Sequence, residues 1–308
     1  MHMIIPPALQ PGDTIRLIAT ARYVQEELVQ STEERLRKEG FQVQQGKNLM
    51  ARHFQFAGTD AQRKADLQTA MDDPAVKAIF VMRGGYGSHR ILEGLDFQGI
   101  KTHPKWLVGF SDVTAIHGLF QSEGIATLHA AMPSTYYQSS EEVVAKIPGI
   151  LKAGQGTDWV LETHEMSIPG EAEGRLVGGN LSVLNSILGT ECFPVKEGDI
   201  LMIEDLDEML YHVDRMMLQL SRAGVLKKLS GLVIGGFSAM RDNTEHFGFS
   251  KDDPFGMSAE EIILGYVKEL GIPVMVGAPV GHIHENRPMV LGAGVKLSID
   301  DLVSRMGH

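Results

Sequence analysis

One serine in this chain has the sequence setting of a nucleophile. The segment from Lys105 to Gly118 reads as a short apolar strand, a sharp turn that carries Ser111, and a helix. Such a turn exposes the hydroxyl beside the first amides of a helix, which are unpaired donors with a partial positive charge. Those amides could hold the oxyanion of a tetrahedral intermediate. The segment is also open to a plainer interpretation, because Ser and Asp are favoured helix N-caps.

A serine nucleophile needs a general base that is held by a third group. Two loops in the second half of the chain offer candidates: 203–208, with four carboxylates after an apolar strand, and 281–286, with His282 and His284. The order serine, acid, histidine is that of the α/β hydrolases, although this elbow lacks their second glycine. The carboxylates could instead form a solvated loop or a helix N-terminus. The histidines could instead ligate a metal together with Glu285, but no HExxH pattern or cysteine pair supports this.

A glycine pair follows another apolar strand, in the loop 83–87 (Arg-Gly-Gly-Tyr-Gly). The loop has neither the GxGxxG spacing nor the Lys-Ser/Thr of a phosphate-binding loop. A glycine pair after a strand suits close approach of the backbone to a substrate. One of its amides could therefore serve as a second oxyanion donor.

Strand and helix signals alternate in a way that predicts an α/β fold with parallel strands and crossover helices. Ligands bind at the carboxyl ends of strands in such sheets, which is where Ser111 and the glycine loop fall. The first half predicts strands at 14–19, 41–44, 78–82 and 106–110, and helices at 25–39, 60–71 and 113–122. The second half predicts a strand, glycine turn and helix over 175–184, strands at 199–203, 232–235 and 274–277, helices at 211–223 and 258–270, and a final hairpin over 290–299.

The predicted division of the chain has two domains. An N-terminal domain, 1–152, carries Ser111, and a C-terminal α/β domain, 175–308, carries the acid and the histidines. The segment 153–174 between them has no helical period and is predicted to be a linker. A chain of 308 residues is long for one core and sufficient for two.

Composition excludes several classes of partner. The formal net charge is −11 and no Lys/Arg-rich run occurs, which argues against nucleic acid and against an anionic membrane surface. The single cysteine, Cys192, allows no internal disulfide and has no activating pattern around it. We find no secretory signal pattern and no apolar run of membrane-spanning length, so a cytoplasmic protein is expected.

Five motifs recur in an order that resembles a known family. They are Arg83–Gly87, Gly109–Ala115, Gly178–Leu181, Glu204-Asp205 followed by Tyr211–Met216, and Gly281-His282 with Asn286. Together they are similar to those of the LD-carboxypeptidases, a serine peptidase family that includes the murein tetrapeptide carboxypeptidases and the microcin C immunity peptidase. The resemblance covers nearly the whole chain.

The resemblance implies a catalytic triad of Ser111, Glu204 and His282. His284 falls outside the family pattern and is kept as the fallback base. It implies an oxyanion hole formed by the backbone amides of Asp112 and Gly85. It further implies a Rossmann-like N-terminal domain and a smaller α/β C-terminal domain, with the active site at their junction. Homodimers are common in the family, and no cofactor or metal is implied.

The expected function is that of a metal-independent serine LD-carboxypeptidase, which releases the terminal D-Ala from muropeptide tetrapeptides during cell-wall recycling. The rivals are a microcin-type peptidase that cleaves aminoacyl-nucleotide amides, an esterase with the same triad, and a non-catalytic protein that binds a sugar or a nucleotide.

Two loops depart from the family pattern. The loop 19–22 lacks the usual Pro-Ser or Pro-Ala, and 286–292 is altered, so the substrate is less defined than the reaction.

Overall fold

The computed structural model describes residues 3–156, 158–242 and 253–307. The chain divides into two compact units, each assembled from three segments. The first unit comprises Met1–Thr157, Gly189–Pro194 and His284–Ala293, and the second comprises Asp158–Leu188, Val195–Ile283 and Gly294–His308.

The described elements follow one another as alternating strands and helices through most of the chain. In order they are β1 (Thr14–Ile18), α1 (Glu26–Lys38), β2 (Gln42–Gln45), α2 (Asp60–Asp72), β3 (Val76–Val81), α3 (Gln98–Thr102), β4 (Trp106–Gly109), α4 (Thr114–Ser122), β5 (Thr127–His129), α5 (Glu141–Ala153), β6 (Trp159–Glu162), β7 (Gly170–Asn180), α6 (Leu181–Ile187), β8 (Ile200–Leu206), α7 (Leu210–Arg222), β9 (Gly231–Ser238), α8 (Ala259–Val267), β10 (Val274–Val276), β11 (Met289–Leu291), β12 (Gly294–Ile299) and β13 (Val303–Gly307).

The first unit is built on a six-stranded sheet in the order β11-β5-β4-β3-β1-β2. All neighbouring strands are parallel except β11, which pairs antiparallel with β5 at the edge. Strands β3 and β4 are mostly apolar with almost every side chain buried, which is typical of parallel strands covered by helices on both faces. The strand order reverses between β1 and β3, and open α/β sheets bind ligands at such a reversal.

The second unit is built on a seven-stranded mixed sheet in the order β10-β9-β8-β7-β12-β13-β6. Strands β10, β9, β8 and β7 are parallel, whereas β12, β13 and β6 extend the sheet with antiparallel pairs. The parallel part places the ends of β7, β8 and β9 side by side at one edge. This edge carries the acidic residues of 203–208, but the predicted loop is wrong in part, because β8 runs to Leu206 and includes Glu204 and Asp205.

The predicted α/β class with two domains is confirmed, and the parallel sheet expected in the first is present except for its antiparallel edge strand β11. The predicted hairpin over 290–299 is wrong, because β11 joins the sheet of the first unit and β12 joins the sheet of the second. The segment 153–174, expected to be a linker, contains β6 and the start of β7. No helix within the described ranges is long and apolar enough to cross a membrane.

Candidate active site

Ser111 lies in a strained turn directly after β4. Its φ angle is +61°, in the left-handed region that non-glycine residues rarely adopt, and Phe110 before it is extended. A short 3-10 turn over Ser111–Val113 then leads into α4. Strain of this kind is kept where a surrounding structure enforces it, commonly at functional sites. The strand, strained turn and helix reproduce the geometry of a nucleophile elbow.

Hydrogen bonds tie this elbow to the loop that follows β3. The carboxylate of Asp112 is buried and accepts the backbone amide of Ser88 at 2.8 Å. The hydroxyl of Ser88 in turn lies 2.8 Å from that of Thr20, which follows β1. The ends of three neighbouring strands are therefore held in one buried network.

His117 on α4 supports the elbow from behind. Its Nε2 donates to the carbonyl of Gly109 at 2.9 Å, and its Nδ1 accepts the hydroxyl of Thr127 at 2.8 Å. Complete burial lowers the pKa of His117 to about 4, against the opposing effect of the Gly109 bond. The ring is neutral at pH 7, and it fixes the end of β4 at the residue before Phe110. No spacing rule marks His117 in the sequence.

The two amides predicted to form the oxyanion hole are available. The backbone nitrogens of Gly85 and Asp112 make no hydrogen bond within the described part of the chain. The glycine loop also lies against the serine, because a Cβ placed on Gly84 would be 3.4 Å from the Cβ of Ser111. Gly85 has a φ of +109°, which favours glycine at this position.

Glu204 and His282 form a buried pair in the second unit. Glu204 lies in β8 with no exposed surface, and its Oε2 is 2.7 Å from Nδ1 of His282. The same oxygen accepts the backbone amide of His282 at 3.2 Å. Ser238 donates to the carbonyl of His282 at 2.9 Å. The imidazole is thereby fixed in orientation through its Nδ1 side.

Three glycines make this pairing possible. A Cβ on Gly281, whose φ is +106°, would lie 2.6 Å from the Cβ of Glu204. On β9, Gly235 and Gly236 face the single residue Glu204 on β8, so the ladder shifts register there. Such bulges often re-aim a side chain beside an active site. The sequence predicted a strand that ends at residue 235, whereas β9 continues through this glycine pair to Ser238.

The charge of Glu204 acts on the histidine. Burial by itself lowers the pKa of His282, but the carboxylate of Glu204, its hydrogen bond and the nearby Asp205 raise it more, so the pKa lies above its usual range. A neighbouring carboxylate that stabilises an imidazolium is what a general base requires.

Asp205 holds the strand ends around the pair in place. It is buried and accepts the side-chain amide of Asn180 at 2.8 Å and the backbone amide of Ser182 at 2.9 Å. Burial, followed by the charge of Glu204, raises the pKa of Asp205 to about 7. Asp205 therefore anchors the start of α6 beside Glu204.

The other histidine of the predicted pair is placed differently. His284 belongs to the first unit, its side chain is 71% exposed, and its nearest charged partner is Glu285 at 3.3 Å. Of the two histidines, His282 is the one paired with Glu204. Within residues 3–156, 158–242 and 253–307, no cluster of three or more His, Cys, Asp or Glu side chains is arranged to hold a metal ion.

Comparison with known proteins identifies the family. Residues 15–130 match the LD-carboxypeptidase N-terminal domain, and residues 173–297 match the LD-carboxypeptidase C-terminal domain. A Bacillus subtilis (strain 168) protein named "Probable murein peptide carboxypeptidase" is 35% identical over 294 residues, covering 94% of this chain and 89% of the relative. The chain belongs to the LD-carboxypeptidase family. The enzyme class predicted from the motifs, a serine carboxypeptidase, is confirmed.

Two further relatives of this LD-carboxypeptidase illustrate the range of the family. The crystal structure of the muramoyltetrapeptide carboxypeptidase from Oxalobacter formigenes is 28% identical with a TM-score of 0.83, covering 95% of this chain and 97% of that one. The microcin C7 self-immunity protein MccF of Escherichia coli is 28% identical over 335 residues, covering 97% of this chain and 94% of the relative. The Rossmann-like fold of the first unit and the two-domain architecture agree with these similarities.

Proposed function

We propose that this LD-carboxypeptidase releases the terminal D-Ala from muropeptide tetrapeptides, with Ser111, Glu204 and His282 as its catalytic triad. The observation that carries the proposal is the buried pair in which Glu204 engages Nδ1 of His282 at 2.7 Å. This pairing selects the tautomer in which Nε2 accepts a proton. The elbow at Ser111 supplies the matching nucleophile. The substrate class is proposed from the names of the relatives.

In the first half of the proposed reaction, Nε2 of His282 takes the hydroxyl proton of Ser111 while Oγ attacks the carbonyl carbon of the scissile amide. The amides of Gly85 and Asp112 donate to the oxyanion of the tetrahedral intermediate. Glu204 stabilises the imidazolium. The imidazolium of His282 then protonates the leaving nitrogen, the C–N bond breaks, and D-Ala departs with the acyl group on Ser111.

In the second half, a water molecule replaces the leaving amine. His282 accepts a proton from the water as its oxygen attacks the acyl ester. The second tetrahedral intermediate collapses when the proton returns to Oγ of Ser111. The tripeptide leaves with a new carboxylate, and the enzyme is restored with no metal or cofactor consumed.

The test is mass spectrometry of a muropeptide tetrapeptide incubated with the wild-type enzyme, Ser111→Ala and Ser122→Ala. Ser122 is a matched control because it is the last residue of α4 in the same unit. We expect loss of one D-Ala with the wild type and Ser122→Ala, and a rate lower by several orders of magnitude with Ser111→Ala. Addition of EDTA should leave the wild-type rate unchanged.

Other outcomes would contradict the proposal in distinguishable ways. Equal cleavage by Ser111→Ala would overturn the nucleophile assignment. Inhibition by EDTA would require a metal in the reaction. Failure to cleave the tetrapeptide, with cleavage of an aminoacyl sulfamoyl adenosine, would favour a microcin-type peptidase. Cleavage of nitrophenyl esters far faster than of LD-peptides would favour an esterase.

We also propose that the enzyme is cytoplasmic and that it forms a homodimer, which is common in the family that the motifs resemble. Light scattering after size-exclusion chromatography would measure the molar mass against that of the 33.7 kDa chain. Fractionation of expressing cells would locate the enzyme. A monomer, or recovery in another compartment, would overturn the respective part.

A further inference from the structure

The loop that departs from the family pattern, 19–22, lies where this fold binds ligands. It follows β1, and the glycine loop 83–87 follows β3, the neighbouring strand. The strand order reverses between β1 and β3. Loops diverge at such a reversal and leave a crevice beyond the carboxyl ends of the strands. Arg22 is therefore a candidate for contact with substrate.

Arg22 and Ser111 both contact the same glycine pair. A Cβ on Gly85 would lie 2.7 Å from Cδ of Arg22 and 2.9 Å from its Cγ, so the arginine stem rests directly on the loop. On the preceding residue, a Cβ on Gly84 would lie 3.4 Å from Cβ of Ser111. The guanidinium of Arg22 begins at Nε, which is bonded to Cδ and lies 2.8 Å from the Cβ position on Gly85. It is consequently held close to the proposed oxyanion amide of Gly85.

The guanidinium of Arg22 is also available. Arg22 is exposed and makes no ion pair or hydrogen bond from its side chain within the described ranges. Neighbouring arginines are engaged, since Arg83 donates to the carbonyl of Tyr23 at 3.2 Å and Arg52 stacks on the Tyr23 ring at 4.0 Å. An unpaired cation beside a nucleophile is suited to an anionic group of the substrate.

We propose that Arg22 binds the C-terminal carboxylate of the residue that is released, an assignment that rests on the proposed function. In a substrate of this kind, only the amide nitrogen and one Cα separate the scissile carbonyl from that carboxylate. A carbonyl oxygen held by the amide of Gly85 thus brings the carboxylate near the side chain that covers Gly85. Guanidinium and carboxylate can pair through two parallel hydrogen bonds. Arg22 would thereby restrict the enzyme to the chain end.

The experiment compares two substrates, a muropeptide tetrapeptide ending in D-Ala and the same peptide ending in D-Ala amide. Both are assayed for kcat/KM with the wild type, Arg22→Gln, Arg22→Lys and Arg52→Gln. We expect the wild type to have a higher kcat/KM for the free acid than for the amide. Arg22→Gln should lower kcat/KM for the free acid by about 10- to 100-fold and leave kcat/KM for the amide unchanged. Arg22→Lys should recover part of the loss, because it keeps the charge without the planar fork. Arg52→Gln, a nearby exposed arginine, should match the wild type.

Three results would overturn the assignment. The wild type could cleave the amide as fast as the acid, which would exclude recognition of the carboxylate. Arg22→Gln could lower kcat/KM equally for both substrates, which would indicate that Arg22 supports the glycine loop and does not bind the carboxylate. Arg52→Gln, and not Arg22→Gln, could lower kcat/KM for the free acid, which would assign the carboxylate contact to the wrong arginine. Absence of cleavage of either peptide by the wild type would refute the proposed function itself, and is recognised because every variant would then be inactive.

Discussion

Glu204 and His282 illustrate how a single buried charge sets a working pH. A general base must be neutral to accept a proton, and Glu204 raises the pKa of His282 in spite of the burial that lowers it. The acid limb of the kcat/KM profile should therefore lie above pH 6.5, the usual pKa of histidine. The hydrogen bond to Glu204 that orients His282 therefore also raises the pKa of His282.

We predict that Glu204→Gln shifts this limb to lower pH and lowers the maximal kcat/KM by about 10²- to 10⁴-fold. The neutral amide cannot stabilise the imidazolium, so burial lowers the pKa of His282. Glu208→Gln is a matched control, because Glu208 pairs with His212 in the same unit at the same distance of 2.7 Å. It should leave the profile unchanged. A limb that stays in place in Glu204→Gln would contradict the role of His282 as the base.

The residues whose function depends on their own chemistry could be named from the sequence. The motifs point to Ser111, Glu204 and His282, and these assignments stay predictions. The supporting residues could not be found in this way. The carboxylates of Asp112 and Asp205 and the ring of His117 act through hydrogen bonds to backbone atoms of other elements, and no spacing rule marks such bonds.

At the scale of elements, local patterns predicted most strands and helices but not their partners. The sequence over 60–71 predicted a helix, which the structure has at Asp60–Asp72 and which begins with a capping box between Thr59 and Gln62. The predicted strand 232–235 stopped at the glycine pair 235–236, yet β9 continues through the pair because a bulge opposite Glu204 needs small residues. Close backbone approach is a tertiary property and leaves only the glycines as its sequence signal.

Helix α4 gives the first unit a predictable sensitivity to acid. His117 has a pKa of about 4 in the folded unit and about 6.5 when unfolded. The unfolded state binds more protons between these values, so the free energy of unfolding should fall as the pH drops from 6.5 to 4, by about 3 kcal/mol in all. Above pH 6.5 this contribution is fully present.

We predict that His117→Gln removes this part of the pH dependence, even if it lowers stability at pH 7. The chain has two tryptophans, and Trp106 lies in the core of the first unit whereas Trp159 lies in β6 of the second. In a Trp159→Phe background, urea unfolding followed by fluorescence therefore reports on the first unit. If the free energy of unfolding fell equally between pH 6.5 and 4 with and without His117→Gln in this background, His117 would not be the source of the acid sensitivity.

At the scale of the whole molecule, neither unit is a continuous piece of chain. Strand β11 comes late in the sequence but closes the edge of the first sheet against β5, and Val290 belongs to the core of that unit. Three residues after the end of β11 at Leu291, the chain enters β12 of the second sheet at Gly294. Sequence patterns could not show that the chain passes from one sheet to the other here, since two short strands joined by a glycine-containing turn resemble a hairpin.

This topology predicts that two neighbouring valines stabilise different units. Val290 is 1% exposed and faces Leu128 across the β11–β5 pair, whereas Val295 is 4% exposed and faces Gly174 on β7. Val290→Ala should cost about 2 kcal/mol in the first unit and increase hydrogen exchange in peptides that cover β4 and β5. Val295→Ala should act in peptides that cover β7 instead. If both variants increased exchange in the same peptides, β11 and β12 would behave as one hairpin and the division of the chain into these units would be wrong.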